Sequence, residues 1–158
     1  IEPVNLKVLI EEALSFLVKE AEYRGIGVSL DVSGDVPQID SDRGKLQEIF
    51  LNLINNAFAA MNDGGNLDIR IRKEDIDKVQ ITVADTGCGI SKADMKRIFE
   101  PFFSTKTKKG GTGLGLSLTY NFVREMGGAL NVESEVGKGT TFKITLPLKM
   151  QIKKGGKE

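Results

Sequence analysis

The chain has 158 residues, with 22 Lys plus Arg balanced by 22 Asp plus Glu, no histidine and one cysteine, Cys88. That length sustains one domain with a real core, and zero net charge argues against a nucleic-acid or membrane footprint. A lone cysteine excludes an internal disulfide and fits a reducing, cytoplasmic compartment; no apolar run reaches membrane-spanning length, and any chemistry that needs a histidine must borrow one. In chain order, Asn5 is placed to cap an amphipathic helix over Leu6 to Glu22, ended by Gly25 and Gly27. Val28, Leu30 and Val32 alternate as a strand, Gln38 to Asp40 forms a short one, and Ser41 or Asp42 caps the next helix. The chain opens on IEPVNL without an initiator Met and reads as a segment of a longer protein, with a basic, disordered tail at 149–158 after a domain over 1–148.

The helix around Gln47 to Met61 organises the rest. Leu46, Ile49, Phe50, Leu53, Ile54, Ala57 and Met61 share one face, while Glu48, Asn52 and Asn56 recur on another with Asn55 beside them. Asn is a mediocre helix former because its amide competes for backbone groups. Three of them within five residues are either a solvated face or a ligand site, and Lys, Glu or Ala would serve a solvated face better. Asp63-Gly64-Gly65 closes this helix, and the alternating runs Asn66 to Lys73 and Lys78 to Ala84 predict a hairpin.

The following thirty or so residues are rich in Gly, Thr, Ser and Lys, with a short helix at Lys92 to Ile98. A long irregular stretch in a compact domain is functional or disordered. Asp85-Thr86-Gly87-Cys88-Gly89 follows a strand, where a carboxylate facing a pocket can accept a hydrogen bond from an amino group and the glycines leave room for a flat ring. Alone, DxGxG is a weak signal and reads more readily as an ordinary Asp-Gly turn. Gly110 to Ser117 leads into a third helix, Leu114 to Met126, so free N–H groups and the positive dipole end point into a glycine loop. The loop is either a linker or a phosphate cradle; it lacks the Lys and Ser/Thr of a P-loop. Lys106 is read as facing phosphate, Lys108 and Lys109 as facing water. Strands Ala129 to Ser134 and Thr140 to Pro147 close the chain around a glycine turn. Thr140 shares parity with Phe142, Ile144 and Leu146 and so points inward. The expected fold is an α/β two-layer sandwich, a mixed, mostly antiparallel sheet of about five strands packed on three helices.

Together, NLINNA (Asn52 to Ala57), DTGCGI (Asp85 to Ile90), EPFFSTK (Glu100 to Lys106) and GTGLGLS (Gly111 to Ser117) resemble, in order and spacing, the N, first glycine, F and second glycine boxes of sensor histidine kinase ATP-binding catalytic domains. These belong to the Bergerat-fold ATPases, with gyrase and the heat-shock chaperone ATPases. The resemblance implies ATP and Mg²⁺ as ligands, with Asn56 on the metal and Asn52 supporting the phosphates or a metal-bound water. It implies that Asp85 accepts the adenine amino hydrogen, with Gly87, Gly89, Ile90 and Thr140 bordering the base. Phe102 and Phe103 would anchor a lid that orders around the triphosphate. Gly111, Thr112, Gly113, Leu114, Gly115 and Leu116 would shape that lid and its phosphate contacts. Asn52 and Lys106 are the implied catalytic residues. Ala59, where some members carry a basic residue, and Ser104-Thr105-Lys106 resemble the nitrogen-regulatory branch. The implied partners are a dimerising hairpin that carries the phosphoacceptor histidine and a response-regulator receiver domain.

A gyrase- or chaperone-type ATPase is the competing expectation, but such enzymes need a water-activating Glu where this chain has Asn52. An anti-sigma-factor serine kinase and a nucleotide sensor without catalysis are the remaining alternatives.

Overall fold

The computed structural model describes residues 1–100 and 115–150 of the chain. Among these, the elements run β1 (Glu2–Val4), α1 (Leu6–Ser15), α2 (Val18–Arg24), β2 (Ile26–Ser33), β3 (Ile39–Ser41), α3 (Arg43–Ala60), β4 (Gly65–Asp75), β5 (Lys78–Asp85), α4 (Lys92–Met95), α5 (Gly115–Glu125), β6 (Ala129–Glu135) and β7 (Gly139–Pro147). Five strands form one sheet in the order β2-β4-β5-β7-β6, with β2 parallel to β4 and every other pair antiparallel. Helices cover one face, α2 on β2, α3 on β5 and α5 on β6, while α1 and α5 both lie against α3. This is the two-layer α/β sandwich that the strand and helix patterning predicts.

The inner face of the sheet is a set of cross-strand rows. Ile69, Val83 and Phe142 make one row and Ile71, Ile81 and Ile144 the next, all buried beneath the apolar side of α3. Leu46, Ile49, Phe50, Leu53 and Ile54 are fully buried on that helix, so its apolar stripe does the work its spacing predicts. Asp42, not Ser41, caps it, its side chain accepting from Lys45 N–H at 3.1 Å. Among the described residues no helix is long and apolar enough to cross a membrane.

The structure departs from the expected helix at 6–22, which is two helices. Leu17 N–H reaches back only to the Leu14 carbonyl, a tight three-residue turn, and the Ser15 hydroxyl bonds the Glu12 carbonyl at 2.6 Å. Such back-bonding competes with the helix ladder. The break leaves Phe16 exposed but lets Ala21 on α2 stay buried over β2. A small second sheet, β1 against β3, was not expected either. Of the tail expected at 149–158, Met150 N–H bonds the Asp40 carbonyl at 2.8 Å and Lys149 bridges Asp40, while 151–158 lie outside the described residues.

Candidate functional site

One end of the inner face is polar. Asp85, the last residue of β5, continues the parity of Val79, Ile81 and Val83 and so turns toward the helix layer, where it is 8 % exposed. Thr140 stands opposite it on β7 at 5 % exposure, and Ser134 stands opposite Thr140 on β6. An acid and two hydroxyls thus replace the apolar rows where the sheet meets the loop after β5. The inward orientation expected for Thr140 follows directly from its strand register.

The loop is held on three sides. Asp85 Oδ1 accepts from Gly87 N–H at 2.8 Å, closing an Asx turn. Cys88 N–H donates to the Ala60 carbonyl at 3.0 Å, tying the loop to the end of α3. Ile90 N–H donates to Ser134 Oγ at 2.7 Å, and Gly137 N–H to the Cys88 carbonyl at 2.8 Å, tying it to β6 and the following turn. A Cβ at Gly87 would lie 2.6 Å from the Ala60 carbonyl oxygen, and one at Gly89, whose φ is +77°, would meet the Glu135 carbonyl. These glycines are therefore required by close packing of the loop on α3 and β6, a demand separate from the space for a ring inferred from sequence.

The Asn-bearing face of α3 borders this loop. Asn56 sits one turn before Ala60, whose carbonyl holds Cys88, and is half-buried, as is Asn52; Asn55 and Glu48 are exposed. Asn52 Nδ2 donates to the Gly115 carbonyl at 3.4 Å, and the same carbonyl accepts from Thr119 Oγ1 at 2.9 Å. Asn52 thereby joins α3 to the first residue of α5. Nearer the start of α3, Lys45 Nζ lies 2.6 Å from Glu125 Oε2 and over the Phe122 ring, and Glu125 holds the lysine's pKa above its usual value. Leu116 is half-buried and packs against the core. Among the described residues, no group of three or more His, Cys, Asp and Glu could hold a metal ion.

The structure thus brings Asp85, Gly87, Gly89, Ile90 and Thr140 around one loop, with Asn52, Asn56 and Gly115 on the flanking helices. Phe102, Phe103, Lys106, Gly111, Thr112, Gly113 and Leu114 lie outside the described residues. Ser134 is the participant that sequence reasoning missed. Pairing the last two strands about the turn at Val136 to Gly139 sets Ser134 opposite Thr140, and that symmetry was available in the sequence.

Residues 41–150 match the family model described as histidine kinase-, DNA gyrase B- and HSP90-like ATPase. Sporulation kinase A of Bacillus subtilis is 43% identical over 148 residues, which cover 94% of this chain and 24% of that protein. The chain therefore spans about a quarter of this curated relative's length. The catalytic domain of the histidine kinase ThkA superposes with a TM-score of 0.82 at 28% identity, covering 94% of this chain and 99% of that one. Full-length ShkA, solved in complex with AMPPNP, gives 0.84 at 32% identity, covering 96% of this chain and 32% of that one. The chain belongs to the histidine kinase-, DNA gyrase B- and HSP90-like ATPase family, as a catalytic ATP-binding domain of the sensor histidine kinase type.

Proposed function

We propose that this domain binds Mg·ATP and presents the γ-phosphate to a histidine on a separate dimerising hairpin, from which a response-regulator receiver domain takes it. The observation that carries the reading is the buried Asp85 carboxylate at the polar end of the sheet, beside the Asn face of α3. A carboxylate is acceptor-only and suits the amino group of adenine. AMPPNP, bound by the structural neighbour ShkA, is an ATP analogue and supports a nucleotide as ligand.

Asn56 offers a neutral, half-buried amide side chain. That fits Mg²⁺, which keeps several waters and borrows phosphate oxygens, and the metal would neutralise charge on the transferring phosphoryl group. Lys106 is proposed as a second cation for the phosphates, and residues 111–116 as the phosphate-side loop. Phe102 and Phe103 are proposed as the anchors of that lid.

Transfer breaks the bond between Pγ and its bridging oxygen, releases ADP and forms a Pγ–N bond to the acceptor imidazole, whose ring proton is released. The donor side requires positioning and charge neutralisation more than covalent chemistry. Asn52 is a poor general base, and its amide is engaged with the Gly115 carbonyl, which argues against hydrolysis as the main reaction.

The proposed domain spans 1–148, with the pairing of Lys149 and Met150 to Asp40 extending it by one short rung. A cytoplasmic setting is proposed, whether or not the whole protein is membrane-anchored. The likeness to the nitrogen-regulatory branch rests on Ala59, Ser104, Thr105 and Lys106; the sporulation kinases that resemble the chain do not carry that branch's name. The test is transfer itself. The isolated domain should retain Mg·ATP without labelling itself from γ-labelled ATP, and adding the histidine-bearing hairpin should place the label on that histidine.

A further inference from the structure

The hydroxyl of Ser134 is the junction of three elements. It accepts from Ile90 N–H at 2.7 Å, donates to the Gly139 carbonyl at 3.0 Å and lies 2.8 Å from Thr140 Oγ1. A serine hydroxyl has one proton and two lone pairs. With its proton on Gly139 and one lone pair holding Ile90, what remains is a lone pair, which takes the Thr140 proton. In that arrangement each donor is used once and all three contacts are hydrogen bonds. The reverse polarity, Ser134 donating to Thr140, would give up the bond to Gly139.

We propose that Ser134 is a positioning residue for nucleotide specificity: it fixes the Thr140 proton toward β6, so that Thr140 meets a bound base as an acceptor. The proposal rests on the reading of Asp85 as the carboxylate that receives the base. Asp85 and Thr140 are cross-strand partners, both nearly buried, and Asp85 is acceptor-only as well. Two neighbouring acceptors suit a purine with a 6-amino group and oppose one with a 6-oxo group, which would bring its own acceptor to the same place. Discrimination of this kind comes from the unpaired polar groups that the wrong ligand leaves behind. Without Ser134, the Thr140 hydroxyl can rotate and donate to O6, and the barrier to the 6-oxo base falls.

The experiment compares Mg·ATP and Mg·ITP, which differ at the 6-position, by titration calorimetry on the whole chain, with thermal unfolding to verify folding. Ser134→Ala should weaken ATP binding about tenfold and weaken ITP binding less, narrowing the ATP:ITP ratio at least about threefold. Ser134→Thr, which keeps the hydroxyl, should retain the wild-type ratio. Thr140→Val should narrow the ratio by itself, and adding Ser134→Ala to it should narrow the ratio no further, because the two act through one group. Equal losses for both nucleotides in Ser134→Ala, a ratio unmoved by Thr140→Val, or additive effects in the double variant would overturn the role of Ser134. A wild-type chain that holds ITP as tightly as ATP would instead overturn the reading of Asp85 on which the proposal stands.

Discussion

Asp85 and Thr140 face one another across the β5–β7 pair, 8 % and 5 % exposed, at the point where the apolar rows of the sheet give way to polar side chains. The apolar rows below them, from Val83 and Phe142 to Val79 and Leu146, hold that register. A slip by one residue would turn the whole set to the other face, so the core also aims the carboxylate.

Replacing Asp85 with Asn keeps the shape and removes the charge. The amide can still accept from Gly87 N–H, but it can also present its NH₂ to the adenine amino group. ATP affinity should fall by about 1.5–3 kcal/mol, the range for a hydrogen bond to a charged group. Titration calorimetry should also find GTP bound more weakly than ATP by the wild type; equal affinities would remove Asp85 from base recognition.

Asn56→Ala should leave the fold intact, since Ala is the better helix former and the site is half-buried on α3. Its effect should appear as loss of the part of nucleotide affinity that depends on Mg²⁺. Binding curves measured with Mg²⁺ and with EDTA should converge in the variant; an undiminished response to Mg²⁺ would place the metal elsewhere.

Asn52→Ala tests a bond between helices. The 3.4 Å contact from Asn52 Nδ2 to the Gly115 carbonyl is long, and Thr119 also bonds that carbonyl. Denaturant unfolding should show a loss of only about 0.5–1 kcal/mol, whereas nucleotide affinity should fall further, because the family resemblance implies that Asn52 supports the phosphates or a metal-bound water. A variant with unaltered affinity would limit Asn52 to a structural role.

Gly139→Ala attacks the site through the backbone. At φ +133° a side chain is strained, and its Cβ would collide with the carbonyl of Asp85. The expected cost is at least about 2 kcal/mol, together with displacement of the end of β5. Thermal unfolding of wild type and variant measures the first, and their ATP affinities the second; a variant as stable as wild type would mean that the turn relaxes freely.

Much of this was legible in the sequence because periodicity and burial agreed. The stripe from Leu46 to Met61 and the parity from Thr140 to Leu146 both follow from one side of an element facing a core. The break at Phe16 and Leu17 was not legible. Leu17, Val18 and Ala21 continue the apolar spacing of α1, so nothing in the pattern marks the turn that Ser15 and Leu14 introduce. β1 has only three residues and pairs with a strand some forty positions away, beyond the reach of local signals. Gly87 and Gly89 were legible as glycines that matter, but the atoms that demand them belong to Ala60 and Glu135, distant in sequence. The pairing of Ser134 with Thr140 was legible from the turn between their strands, but the bond to Ile90 was not, because Ile90 belongs to the loop after β5, distant in sequence.

The central claim is that this domain supplies a phosphoryl donor and lacks the acceptor. It is tested most directly by following γ-labelled ATP with the isolated chain, alone and with the histidine-bearing hairpin in cis or in trans. The account predicts that Mg·ATP is retained, that the chain alone gives neither self-labelling nor rapid phosphate release, and that label appears on the hairpin histidine, more efficiently in cis, where the link raises effective concentration. Rapid ATP turnover by the isolated chain, abolished by Asn52→Ala, would contradict it and make the domain an ATPase.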